Sequence, residues 1–526
     1  MRTQTRLLAL AALLAASSHA ADLYRVSGVI VNSQTGAPLA RARLAVTAQG
    51  ATRVLESATA GEDGRFAFDL PAGKYRLWGG TRDVFLYYGM PTPDAMVGSS
   101  IITGPGQKTD NLTFRWYATS AIEGTIVDEN GDPVENAIIQ LVRSTVQGGR
   151  RIMATAGWGR TDDRGYYRFG RLPGSTYYLA VTGTPWYTNN SGVFRAEAGE
   201  TKAYLPVYYP AGNDPARAVP IALRPGEDFR ADFILRTVPG VTVTVQIPTG
   251  LSLTGNLGLV REGLAASDEF QVQASAIPGR NLLRGVPPGR YSVYLNATAD
   301  RAPVTARQTI DVGASDLEVK ISPKPRPVIA GTVQFESSSM KPKATLLVSV
   351  LREINRSSVS ATVRPDGTFS LPGVAASPFR PILRGTDGFF ASHIEVEGAD
   401  FRDGLVTPAE GATVNIRIVA SDRTGRIDGL VMDGDTPVEG VWVVLAPVSL
   451  PTNWSLYHGF QTDSDGSFDW PNIPAGDYFL FAAKAPYLEY TNPSALGPYL
   501  TGAERVTVAP HGRLTKRLPV TVLPKQ

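Results

Sequence analysis

The 526-residue chain contains no cysteine. That excludes disulfides, a thiol nucleophile, Cys-ligated zinc and a lipid-modified N-terminal Cys. Packed apolar surface must therefore hold the domains together, which domains of about 100 residues can do without staples. Histidine is scarce as well, with only His19, His393, His458 and His511. A zinc peptidase needs a His and a Glu close in sequence plus a distant His, and no His-x-x-Glu occurs here. His393-Ile-Glu395 puts two polar groups on one face of a strand and reads as a surface pair. No Gly-x-Ser-x-Gly elbow is present. The nucleophile, base and oxyanion donors of a hydrolase are thus not assembled, and no catalytic residue is expected.

Charge of one sign is also missing. Lys and Arg total 51 against 48 Asp and Glu, and the two signs are interspersed without a basic stripe. A nucleic-acid partner, which requires such a stripe to displace counterions, is excluded. The one apolar run to consider for a membrane, Leu7 to Ala16, is too short to span one. With Arg2 and Arg6 before it and Ser18-His19-Ala20 behind it, this run marks residues 1–21 as a signal peptide. The expected product is a soluble chain without a transmembrane segment, secreted or associated with the periplasm or cell surface.

What is abundant is turn chemistry, with 53 Gly and 39 Pro. The stretch from Thr462 to Ala482, TDSDGSFDWPNIPAGDYFLFA, has an Asp465-Gly466 turn followed by Phe468 and Trp470 in alternation with polar residues. Pro474 and Gly476 make a second turn, and Tyr478, Leu480 and Ala482 alternate out of it. The same grammar recurs from Glu62, Asp162 and Pro365, and in worn form from Leu282. Self-similarity of this kind sets the architecture. The expected division is β-sandwich modules at 22–117, 118–237, 238–322, 328–422 and 423–526, with a stiff Pro-rich linker at 323–327. The third module lacks the Gly-Asp-Pro turn and reads as degenerate, and whether it is a true copy stays open. About seven short strand runs per module suit an all-β, tandem array of Greek-key sandwiches.

The pattern I-x-G-x-V-x-D-x-x-G-x-P-V, then D-x-D-G-x-F, then P-x-G-x-Y-x-L, strongest over Ile122 to Tyr178 and Ile427 to Leu480, resembles the carboxypeptidase regulatory-like domain. That resemblance implies a prealbumin-like sandwich related to the collagen-adhesin B repeat. It is nearly silent on function, since such sandwiches serve as accessory, adhesive and sugar-binding modules. The Lys-Asn cross-links of some adhesin repeats are not expected, because the first strands carry no Lys.

Asp463-x-Asp465-Gly466 opens like a calcium loop but lacks the acid that should close it, so turn chemistry explains it and no metal or cofactor is expected. Aromatics off the strand pattern are the remaining hint. Trp186 and Tyr187 sit in TPWYTNNSG, and Trp454 and Tyr457 in LPTNWSLYHG. Flat rings beside Asn suit a sugar-binding surface, although large aromatics in such loops also fold back to plug sandwich ends. The expected function is non-catalytic binding or scaffolding at the envelope or outside the cell, with polysaccharide as ligand. The alternatives are a spacer or adhesive stalk with a protein partner, and an accessory subunit of a peptidase or glycosidase.

Overall fold

The computed structural model describes residues 22–81, 84–188, 202–261, 263–264, 269–336, 345–352, 358–384 and 388–521. The expected leader, residues 1–21, lies outside the described residues. Among those described, no helix is long and apolar enough to cross a membrane.

The chain is a tandem array of β-sandwich modules, all built on one strand order. In the first, Leu23–Asn32 lies between Arg65–Pro71, antiparallel, and Leu112–Trp116, parallel. The facing sheet centres on Arg43–Ala48 and Gly73–Thr81. The alternation read in the sequence buries Leu112, Phe114 and Trp116 against Val26, Ile30 and Phe68. Ser120–Asp128, Val241–Ile247, Val328–Phe335 and Thr424–Asp433 each repeat the arrangement, with one antiparallel neighbour and a parallel closing strand. The module around Val241–Ile247 keeps this order although its turns are worn. It is therefore a copy in topology.

Three features of the repeat have local physical causes. In the Asp-Gly turns and the corresponding Asp-Arg-Gly turn of the second module, Gly64, Gly165, Gly367 and Gly466 adopt φ of 72°, 72°, 85° and 75°, the left-handed region that favours glycine. Each of their carbonyls accepts from the first strand, at Ile30, Ile126, Val333 and Val431, at 2.8–2.9 Å. The second turn is closed by a tyrosine four residues after its proline: the hydroxyls of Tyr75, Tyr177, Tyr291 and Tyr478 donate to the carbonyls of Pro71, Pro173, Pro287 and Pro474.

The glycine of the first strand answers a steric demand. A Cβ at Gly28, Gly124, Gly331 or Gly429 would lie 2.0, 1.8, 1.8 or 1.9 Å from a carbonyl oxygen of the closing strand region, at Leu112, Ala231, Ile416 and Lys516 respectively. Backbone this close admits only glycine. The third module has no glycine on Val241–Ile247.

Lys324–Pro325, within the Pro-rich linker, lies as a short edge strand against Val304 and Thr305. An edge is where a strand tolerates proline, which cannot donate to the ladder. The linker is thus docked on the preceding module.

The modules also touch one another, both in and out of sequence order. The first meets the second where Ser175 Oγ donates to Asp94 at 2.8 Å. The third meets the fourth through Arg326 and the Gly373 carbonyl at 3.2 Å. The fourth meets the fifth through Arg380 and Asn453 at 3.2 Å. The fifth then returns to the first: Ser99 Oγ donates to the Thr462 carbonyl at 3.0 Å and Tyr88 Oη to Glu439 at 2.9 Å. Glu489 pairs with Arg151 of the second module at 2.8 Å.

Gly429→Ala is expected to destabilise the chain by about 1–3 kcal/mol or more, because a side chain is forced onto backbone that cannot yield. Gly497→Ala, in the helix Pro493–Leu500 with nothing within 4 Å of the added carbon, is expected to be neutral or stabilising by up to about 1 kcal/mol. Denaturant unfolding of the two variants beside the parent checks both.

Candidate functional site

The four aromatics singled out in the sequence have different fates. Trp186 and Tyr187 open a short 3-10 turn, Trp186–Thr188, and remain 79% and 43% exposed, with rings edge-to-face 5.6 Å apart. Trp186 forms one wall of a cleft of about 380 Å3 between the second and third modules, whose other walls include Asn136, Arg160, Tyr204 and Tyr291. Residues 189–201, which follow this turn and complete the predicted polar loop, lie outside the described residues.

The second pair is built into the protein. Asn453 caps the turn Trp454–Leu456 by accepting from Ser455 N at 3.2 Å, and the Arg380 guanidinium stands 6.0 Å from the Trp454 ring centre. Trp454 therefore belongs to the contact between the fourth and fifth modules. Tyr457 is 6% exposed and its hydroxyl donates to the Pro451 carbonyl at 2.8 Å. Burial pushes this phenol up to about 12. Tyr457 is a packing residue with no face left for a ligand, which corrects the expectation that it contributes to a binding surface. The polar residues around it misled because Asn453 and Ser455 are turn formers and cap groups rather than ligand contacts.

The Asp463-x-Asp465-Gly466 turn is likewise engaged. Asp465 accepts from Ser467 N at 3.0 Å, as a turn aspartate does. Asp463 is buried and receives Lys74 Nζ of the first module at 2.6 Å. Burial pushes the Asp463 carboxyl up, and Lys74 pulls it back.

A larger cavity of about 490 Å3 lies where the first, second and fifth modules meet. Its walls come from the segment 91–100, the hairpin 145–149, the strand His458–Gln461 and the loop 486–490. Tyr490 pins this junction: a Cβ at Gly149 would lie 2.6 Å from its ring and one at Gly459 2.4 Å. Thr491 N and Oγ1 both donate to the Gly149 carbonyl, at 2.9 and 2.7 Å. Asp94 is buried at the meeting point, accepting from Tyr487 Oη and Ser175 Oγ, each at 2.8 Å. Burial and the Asp94 carboxylate push Tyr487 up to about 12.

No expectation from the sequence named these residues. Part of the signal was available in VWVVLAP and YFLFAA, which are continuous apolar runs rather than alternating ones. Continuous runs mark strands covered on both faces. Val444, Ala446 and Phe481 indeed pack outward against Leu488, Tyr490 and Leu496, in a second cluster outside the sandwich core.

The model of the carboxypeptidase regulatory-like domain family matches residues 25–78 and 121–204, which fall within the first two modules. No curated protein matches. Solved structures that resemble the chain include the Bacillus anthracis TIE protein, 11% identical over 76% of this chain and 74% of that one, with a TM-score of 0.18. A streptococcal ancillary pilin is 14% identical over 58% and 100%, with a TM-score of 0.17. The RrgB pilus protein of Streptococcus pneumoniae is 10% identical over 78% and 99%, with a TM-score of 0.15. Likenesses of this size bear on neither activity nor module arrangement.

The strand His458–Gln461 makes the junction sensitive to acid. Burial lowers His458 from the ordinary 6.5 to about 4, so the folded protein holds it neutral while the unfolded chain takes up a proton below about 6.5. Stability from this group is intact above pH 6.5 and is lost progressively down to about pH 4, by on the order of 2–3 kcal/mol. Urea unfolding at stepwise pH should show this loss in the parent and a shallower one in His458→Gln.

Proposed function

We propose that the chain is an exported, non-catalytic carbohydrate-binding protein that acts at the cell envelope or outside the cell. The observation that carries this reading is the exposed Trp186–Tyr187 pair beside the cleft with Asn136 and Arg160. Flat rings offer stacking area at little entropic cost, and neighbouring amide and guanidinium groups meet hydroxyls. The histidines support a non-catalytic role: His393 hydrogen-bonds Glu395 at 3.2 Å, His511 faces Asp422 at 3.9 Å, and His458 is half-buried on its strand. The return of the fifth module onto the first two speaks against a stalk whose modules follow one another in line.

Pull-down of the chain without residues 1–21 on a panel of insoluble polysaccharides and cell-wall material should retain the parent. Retention should fall at least tenfold in Trp186→Ala, because a stacked ring is the main contact of such sites, and should persist in Trp454→Ala, whose ring lies at a module contact. Absence of retention of the parent across the panel would overturn the carbohydrate reading.

A further inference from the structure

The geometry points to a second binding site, independent of the Trp186 surface: the cavity at the junction of the first, second and fifth modules takes a small, neutral, hydroxyl-rich ligand of disaccharide size. Its volume of about 490 Å3 falls within the roughly 300–1,000 Å3 of small-molecule sites. Its rim is apolar and open, since Met96, Val97, Tyr87 and Tyr487 are all exposed large side chains. Its depth is polar and buried.

Two buried atoms on lining residues mark the chemistry. Gln461 is 7% exposed, and its amide nitrogen donates to the Gly89 carbonyl at 2.6 Å and to Ser99 Oγ at 3.2 Å. Its Oε1 has no partner in the protein, and neither has the indole Nε1 of Trp442. Trp442 and Gln461 are directly opposed across neighbouring strands, so their side chains rise from the same face about 5 Å apart at the Cβ atoms. One is a donor only and the other, through Oε1, an acceptor only. A hydroxyl is the group that satisfies both, and leaving each unmet costs free energy.

The buried charges nearby already have polar partners. Asp94 accepts from Tyr487 and Ser175, Asp463 pairs with Lys74, and Arg76, which donates to the neutral Gln49 at 3.2 Å, lies exposed to solvent. A charged ligand would meet no unpartnered buried charge among these groups, whereas a neutral polyol with an apolar face suits the Trp442 and Tyr490 rings, 5.7 Å apart.

Isothermal titration calorimetry of the chain without residues 1–21, with cellobiose, maltose and N,N′-diacetylchitobiose as probes, tests the proposal. At least one sugar should bind with one-to-one stoichiometry. Val97→Trp, a change at the exposed rim that fills the cavity mouth, should abolish that binding. Trp442→Phe, which keeps a ring and removes the donor, should weaken it about tenfold, the loss of one hydrogen bond. Trp186→Ala should leave it unchanged, which separates this site from the polysaccharide surface. Thermal unfolding of each variant shows whether the fold is retained. Binding of none of the three sugars by the parent, or binding that survives Val97→Trp, or binding lost in a folded Trp186→Ala, would overturn the assignment.

Discussion

The rest of the structure depends on the backbone of each closing strand laid parallel against the first strand of its module, an approach that in four modules is close enough to demand glycine. At Gly28, Gly124, Gly331 and Gly429 the two chains come so near that a single added carbon would meet a carbonyl oxygen within about 2 Å. That contact closes the first sheet, and the closing strands then supply large apolar side chains to the core, as Leu112, Phe114 and Trp116 do in the first module and Ile416 and Ile418 in the fourth. The turns follow from it. The Asp-Gly carbonyls cap the same first strands, and the Pro-x-Gly-x-Tyr turns fix where the facing strands begin.

Much of this was legible in the sequence, because a repeat writes the same local constraints several times. The alternation around Phe468 and Trp470 and the Asp-Gly and Pro-x-Gly signals each report a short-range backbone condition. The fate of the loop aromatics was not legible in that way. Trp186 and Tyr457 sit in similar polar settings, yet one stands in solvent and the other is buried. What separates them is what packs on each loop from other parts of the chain, and a local pattern carries no such information.

The junction was the least visible feature for the same reason. Asp94, Gly149, Trp442, Gln461, Tyr487 and Tyr490 come from three modules, far apart in the chain. Only the two-sided burial of the strands Trp442–Pro447 and Gly476–Ala483 left a trace, as apolar runs without alternation. The tails that differ between modules, 91–100 and 486–490, complete the cavity over strands of the repeated cores. This fits the general division in which a rigid scaffold carries variable connections that hold function.

The pairing of Lys74 with Asp463 spans 389 residues, and that sets an order of events during biogenesis. Each sandwich closes on its own strands and can form as its segment emerges, in keeping with domain-by-domain folding from the N-terminus. The junction cannot form until the last module exists. Until then Asp94 lacks its Tyr487 partner and Lys74 lacks its carboxylate, so the first module passes through synthesis with its docking face uncovered. The entropic cost of bringing such distant segments together grows only logarithmically with the intervening length. The final docking is thus limited by completion of the chain rather than by the search, and a C-terminally truncated product would retain folded sandwiches while losing the junction altogether.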